Sequence, residues 1–369
     1  MNIAFVLLTH NPDEPAGIER SVAALAAGLR HLGHRALVIA AGPATPGDGP
    51  DLLRLTTLTL PRPVVEAHVM ALLDPPAPVE SEVRGLLAEQ QVDLVCWVDA
   101  VWGLGFLSPA PTTTATALMV HVPRDDAPLH QSLAHRPGSV LTVSDFMVEE
   151  MARWGVDTST WSVVPNALLH TAPVPSPSER EALRREGPVR IVARAEPHKG
   201  IAELLKAYPT GGLGRTVQIV LAAAGFEYWP GMQEEVTSDI RALAAGLPEV
   251  EILPALPWQE VPVFLSQGCA TLVSSTSPET FGNVAAEALS AGSPVVGFGL
   301  GHLPHLTGTA GCMRALDDGP ASLWEALTGL LENRPAYHAA SQQGPRQVAA
   351  HSPTAAARAF LAATGANRR

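Results

Sequence analysis

Cysteine, lysine and long apolar runs are scarce in this chain, and each shortage removes a class of protein. Its 369 residues include three cysteines, Cys96, Cys269 and Cys312, far apart and never as C-x-x-C, so neither a disulfide framework nor a zinc knuckle is expected. Thiols used this way suit a reducing compartment and point to the cytoplasm. No run approaches 18 uninterrupted apolar residues and no basic segment precedes the first hydrophobic stretch, so neither a membrane span nor a secretory leader is expected. The 24 basic residues are outnumbered by 36 acidic ones, a formal net charge of −12, which argues against nucleic acid or an anionic membrane as the main partner. D-x-D, G-x-S-x-G, G-x(4)-G-K-[ST] and a complete G-x-G-x-x-G are all missing. Their absence sets aside the usual metal-dependent nucleotide-sugar motif, a hydrolase elbow, a phosphate loop and a dinucleotide fingerprint.

What is present is globular. A hydrophobic content of 46% with 16% charge gives enough apolar surface for two cores, and the length suits two domains better than one. Short buried strands alternate with helical periodicity from the first residues: a strand at 2–8, apolar positions Ile18, Val22, Leu25, Leu29 and Leu32 at helical spacing, then a second strand at 37–40. That alternation predicts an α/β chain with parallel sheets. We expect a first Rossmann-like domain at 1–170, a Pro/Ser-rich linker at 171–188, a second Rossmann-like domain at 189–350, and a tail at 351–369 forming a helix. Alanine and proline abound while Lys199 and Lys206 are the only lysines, a bias that suits a GC-rich bacterial genome.

The most informative stretch runs from Ser274 to Gly297. A buried strand leads into a small-residue loop, a helix opens near Gly282, Gly292 ends it, and another buried strand follows. Glu279 stands just outside the helix start and Glu287 one to two turns inside it. The free amides of the first turn, Phe281, Gly282, Asn283 and Val284, and the positive end of the helix dipole suit a phosphate. Glu287 would accept hydrogen bonds from a neighbouring diol such as a ribose, and Glu279 would do the same for hydroxyls beyond the phosphate. The same pattern with both glutamates merely solvated is ordinary in a doubly wound domain. Upstream, Arg194-Ala195-Glu196-Pro197-His198-Lys199-Gly200 places two cations at a helix start, where the dipole disfavours them unless an anion is bound. A solvated basic pair is the other reading.

Pro278-Glu279-Thr280-Phe281-Gly282 through Glu287-Ala288-Leu289 to Gly292-Ser293-Pro294-Val295-Val296 resembles the E-x7-E signature of retaining glycosyltransferases of family 4, which have the GT-B fold. Arg194 and Lys199 match that family's R-x(4)-K-G element, which binds the donor diphosphate. His121 matches a histidine at the end of a first-domain strand near the sugar's 6-hydroxyl, although a core histidine bonded to backbone fits the sequence equally well. Asn166 falls in a turn similar to the family's P-N-G, with Ala167 in place of glycine. Gly17 matches the second of two glycines near donor phosphate and acceptor, the first being Ala16 here. Gly299 to His305 lies where relatives usually carry G-G-[IL]-P-E, with His302 for the second glycine and His305 for the glutamate; two histidines at H-x-x-H spacing lack a third metal ligand.

The resemblance implies two doubly wound domains facing across a cleft. It implies a retaining, metal-independent transfer from a nucleoside-diphosphate sugar, UDP- or GDP-linked, with no cofactor beyond that co-substrate. Arg194 and Lys199 would stabilise the leaving diphosphate, Glu287 would hold the ribose, and Glu279 would orient the sugar. A nucleotide-sugar 2-epimerase of the same fold and a non-catalytic sugar-binding relative remain alternatives. The acidic residues Asp13, Glu14, Glu19, Asp125 and Asp126 suit a cationic acceptor, such as an amino-sugar or aminocyclitol in antibiotic biosynthesis, unless they are solvated faces.

Overall fold

The computed structural model describes residues 1–11, 16–42, 44–45 and 48–366; Asp13 and Glu14 lie outside them. Two compact units emerge. The first gathers Met1–Asn11, Ala16–Leu169 and His351–Arg369, and the second holds His170–Ala350.

The first unit is built on β1 (Asn2–Val6), β2 (Arg35–Gly42), β3 (Leu52–Thr59), β4 (Leu94–Val98), β5 (Ala115–Val120), β6 (Ser139–Thr142) and β7 (Ser162–Val163). They form one parallel sheet in the order β3-β2-β1-β4-β5-β6-β7. Strands such as Leu94–Val98 are buried along their whole length, as helices on both faces of a parallel sheet require. Helix Gly17–His31 lies against one face, and the C-terminal helix Pro353–Ala363 packs on it. A Cβ on Gly28 would sit 1.9 Å from the Pro353 carbonyl, so the two helices meet where one residue has no side chain. Phe360 then reaches Phe5 of the central strand, ring centroids 5.4 Å apart.

The second unit repeats the plan with β8 (Val189–Arg194), β9 (Val217–Ala222), β10 (Val250–Leu253), β11 (Ala270–Val273), β12 (Val295–Phe298) and β13 (Gly311–Arg314). All are parallel, in the order β10-β9-β8-β11-β12-β13. In each sheet the order in which strands are added therefore reverses once, between β1 and β4 in the first unit and between β8 and β11 in the second. Such switch points open a crevice at the carboxyl ends of the strands, where ligands bind in doubly wound sheets. Each unit has its own apolar core.

Segment 171–188, expected as linker, is more than that. Helix Pro177–Glu186 starts there with a capping box between Ser176 and Glu179. Arg180 is buried and donates to the carbonyls of Gly268, Ser266 and Ala291, anchoring the helix in the second unit. The charge and proline that read as linker are cap, N1 proline and anchor. Strand β3, helix Ala77–Glu89, helix Ala127–Ala134 and strand β13 were absent from the sequence reading. Polar threonines along β3 and the proline-rich approach to residue 77 masked their periodicity.

Candidate active site

Three loops meet at the β8/β11 switch point of the second unit. The end of β8 and the loop after it carry Arg194, His198 and Lys199, the loop after β11 carries Ser274 to Gly282, and the loop after β12 carries Gly299 to His302. Backbone contacts lace them together. The Thr276 amide donates to the His198 carbonyl at 2.8 Å and the Ser274 hydroxyl to the Lys199 carbonyl at 2.7 Å. The His302 amide donates to the Glu279 carbonyl at 2.8 Å, and Glu279 forms a parallel bridge with Gly301. Gly200 (φ +66°) and Gly301 (φ +63°) occupy the left-handed region, and a Cβ on either would lie 2.2 to 2.3 Å from a carbonyl oxygen of the β11 loop. Only glycine fits at both crossings.

Lys199 and Glu279 are brought together by this lacing: Nζ lies 2.6 Å from Oε1, which also accepts from the Ser275 hydroxyl at 2.6 Å. Burial works against ionisation of Glu279, but the charge and hydrogen bond of Lys199, with help from Ser275 and Arg194, hold its carboxyl below the ordinary range. Arg194, the last residue of β8, has its NH1 3.0 Å from Oε1 of Glu196, whose other oxygen is 3.1 Å from Nε2 of His198. Burial pushes the Glu196 carboxyl up, with Arg194 and Lys199 pulling the other way. Burial, Lys199 and Arg194 together bring the His198 imidazole down to about 4.

Helix Asn283–Ser290 starts at Gly282, whose φ is +93° and which has no side chain of its own to cap it. A Cβ there would meet Leu303 at 2.7 Å. Phe281 is buried beneath the start of the helix, Val284 lies in its first turn, and Glu287 is buried in its second. The carboxylate, the helix start at Gly282 and the two cations are thus positioned by one cluster of strand ends. His302 does not displace the tight crossing expected from glycine at its position, because Gly301 makes that approach. The His302 ring stacks on Phe281 at 5.7 Å and 20°, and lies 5.1 Å from the His305 ring. Among the described residues no group of three His, Cys, Asp or Glu side chains is placed to hold a metal ion.

The remaining sequence candidates belong to the first unit. His121 follows β5 and is buried, and burial lowers its imidazole to about 4. Its Nε2 has no hydrogen-bond partner among the described residues. Gly17 begins helix Gly17–His31 and Asn166 is buried after β7. Glu19 corrects the picture of a free acidic loop, since it is buried and accepts from the Thr9 hydroxyl at 2.8 Å. Asp126 is also engaged: it caps helix Ala127–Ala134 at the Leu129 amide and pairs with Arg124 at 2.6 Å. Asp125 is the more available carboxylate, 43% exposed and 2.8 Å from His130.

Sequence reasoning missed Asp99, which is buried after β4 with φ +85° and lies 3.0 Å from Arg124. It also missed Glu196, Phe226 and Tyr228 around Arg194. Glu196 stood inside a motif already in view; the aromatic pair lies about thirty residues downstream and has no local signal.

Comparison with known proteins places these features. Residues 181–347 match the model described as glycosyl transferases group 1, and residues 15–168 match glycosyltransferase family 4. A curated relative, O-antigen chain mannosyltransferase B of Escherichia coli, is 27% identical over 197 residues, 52% of this chain. The match spans only about half of that relative's length, 50%. Among solved structures, sucrose-phosphate synthase from Thermosynechococcus elongatus superposes with a TM-score of 0.77 at 17% identity, covering 100% of this chain and 98% of that one. Anabaena Alr3699/HepE in complex with UDP-glucose gives 0.74 at 18% identity, covering 100% of both chains. At these identities the likeness establishes the fold, GT-B with two parallel-sheet Rossmann-like domains.

Proposed function

We propose that this chain, whose two halves match glycosyltransferase models, is a family 4 type enzyme that transfers a sugar from a nucleoside-diphosphate donor to a hydroxyl of a small soluble acceptor, with retention and without a metal ion. The observation that carries the reading is the pairing of Lys199 with Glu279 beside Arg194 and the helix start at Gly282. Cations for a diphosphate, amides for its oxygens and carboxylates for hydroxyls stand at one switch point.

Arg194, Lys199 and the amides near Phe281 to Val284 take up charge on the diphosphate as the bond from C1 to its oxygen lengthens. Preorganised donors of this kind are each worth about 2.7 to 4 kcal/mol in a transition state. Glu287 binds the ribose and Glu279 orients the donor sugar. The acceptor oxygen bonds to C1 on the face the leaving group vacates, through an oxocarbenium-like state, and its proton passes to the departing phosphate. By the family resemblance, His121 of the first unit would stand near the sugar's 6-hydroxyl and the acceptor, Gly17 near donor phosphate and acceptor, and Asn166 among the donor-binding residues. UDP is the favoured nucleotide, supported by the UDP-glucose complex of a protein with this fold, with GDP as the other choice.

For the acceptor we propose a cationic natural product, an amino-sugar or aminocyclitol of the kind found in antibiotic biosynthesis. The net charge of −12 and exposed Asp125 support it. A cytoplasmic setting is supported by three free cysteines, and no helix of the described residues is long and apolar enough to cross a membrane.

Mass spectrometry of the protein with UDP- and GDP-sugars, each with and without aminocyclitol acceptors and with EDTA present, tests the reading. A glycosylated acceptor formed in EDTA supports it. Conversion of the donor alone to an epimer would overturn it in favour of a 2-epimerase.

A further inference from the structure

Arg194 sits in a closed circuit whose other members, Glu196, His198, Phe226 and Tyr228, have no part in the proposed chemistry. Its NH1 is 3.0 Å from Oε1 of Glu196, and its guanidinium lies over the face of Phe226, 4.9 Å from the ring centroid. Phe226 meets Tyr228 edge-on at 6.0 Å, Tyr228 lies 5.8 Å from the His198 ring, and His198 returns to Glu196 at 3.1 Å. The loop bearing the two aromatic residues is itself braced. Gln233 bonds to the backbone of Ala224 and Phe226, and Glu227 accepts from the amides of Gly231 and Gln233.

We infer that Glu196 and Phe226 are positioning groups for Arg194, fixing its guanidinium for the donor diphosphate before the donor arrives. The burial of the two partners carries the argument. The Glu196 side chain is 1% exposed while that of Arg194 is 26% exposed, so the carboxylate holds the fork from behind and leaves its outer edge to a ligand. Both Glu196 oxygens are buried and accept no hydrogen bond of regular geometry among the described residues; the His198 ring beside it is kept neutral near pH 7 by burial, so Arg194 is the cation that its carboxylate faces. A free arginine side chain loses rotamer entropy when it binds. One already clamped between a carboxylate and an aromatic face has lost it during folding. The donor's two negative charges then meet a cation in place, with Lys199 held in parallel by Glu279.

This inference rests on the donor-binding reading, and the test separates the two. Isothermal titration with UDP, then GDP, is run on wild type, Glu196→Gln, Phe226→Leu, Arg194→Ala and the double variants combining Arg194→Ala with each of the others. Glu196→Gln is expected to weaken nucleoside-diphosphate binding about tenfold and Phe226→Leu a few-fold, with no further loss when either is added to Arg194→Ala, the non-additivity that marks groups acting through one another. Donor KM rises in the single variants while acceptor KM stays put. Binding by Glu196→Gln and Phe226→Leu equal to wild type, or losses that add to that of Arg194→Ala, overturns the inference alone. Wild-type protein that binds neither UDP nor GDP overturns the donor reading and this inference together. Should Glu196→Gln fail to fold, Phe226→Leu at a half-buried position decides the question by the same cycle.

Discussion

Lys199 Nζ and Glu279 Oε1 lie 2.6 Å apart although eighty residues separate them in sequence. Both side chains are largely withdrawn from solvent, 16% and 18% exposed, so neither charge is well hydrated without the other. Replacing Lys199 by Ala leaves the Glu279 carboxylate partly buried and uncompensated and removes a donor from the proposed diphosphate site. Transfer activity should fall by about two to three orders of magnitude, the usual cost of one such donor, with Glu279→Gln also strongly impaired. Steady-state kcat with a UDP-sugar donor is the check, and full activity in either variant contradicts the assigned roles.

The crossing of Gly301 over Glu279 makes a stability prediction. Gly301→Ala would place a methyl 2.3 Å from the Glu279 carbonyl at φ +63°, so the β11 and β12 loops must separate. A loss of about 1 to 3 kcal/mol is expected from strain of this kind. Urea unfolding should show a lower midpoint and the donor Kd should rise. A variant with unchanged midpoint and affinity would mean that the crossing is not needed.

Burial sets an acid limit on the fold. His10, His121 and His198 are each lowered to about 4 from the ordinary 6.5, chiefly by burial. Below 6.5 the unfolded chain takes up protons that these folded histidines refuse, so the histidine contribution to stability should fall as pH drops from 6.5 to 4 and level off below, where carboxyls held low in the fold, such as Glu279, take over the loss. His121→Asn removes one of the three. Its melting temperature should change less with pH across that window than that of wild type, and parallel curves would count against the assignment.

Asp125 separates the acceptor proposal from the donor proposal. Asp125→Asn should raise the KM for an aminocyclitol acceptor several-fold, the loss of one partly exposed charge contact, while donor KM is unchanged. Asp126 is a poorer probe, since its carboxylate caps a helix and holds Arg124. An unchanged acceptor KM in Asp125→Asn removes the argument for a cationic acceptor.

Much of the second unit could be read from sequence because its signals are local. The strand, loop, helix and strand from 270 to 298 follow one another within thirty residues, and each carries its own punctuation in Gly282, Gly292 and apolar runs. Lys199 and Glu279 were legible as residues but not as a pair, because only the sheet order brings β8 beside β11. Glu196 was hidden by its neighbours: beside Arg194 and Lys199 it looks like a solvated carboxylate, and only folding shows it buried between the Arg194 guanidinium and the His198 ring. The acidic loops misled for the opposite reason. Glu19 and Asp126 are charged in sequence, yet Thr9, a helix amide and Arg124 engage them. The linker at 171–188 was over-read from proline and charge, which here build a helix cap and a buried anchor.

The central claim is that the second unit binds a nucleoside diphosphate through Arg194 and Lys199. Isothermal titration of UDP and GDP into wild type and the Arg194→Ala, Lys199→Ala double variant tests it most directly. The account predicts binding by wild type to one of the two nucleotides, and at least a hundredfold weakening in the variant, the loss of two charge-assisted contacts of about 1.5 to 3 kcal/mol each, with its thermal melt still cooperative. Equal affinity in a folded double variant, or no binding of either nucleotide by wild type, would contradict it.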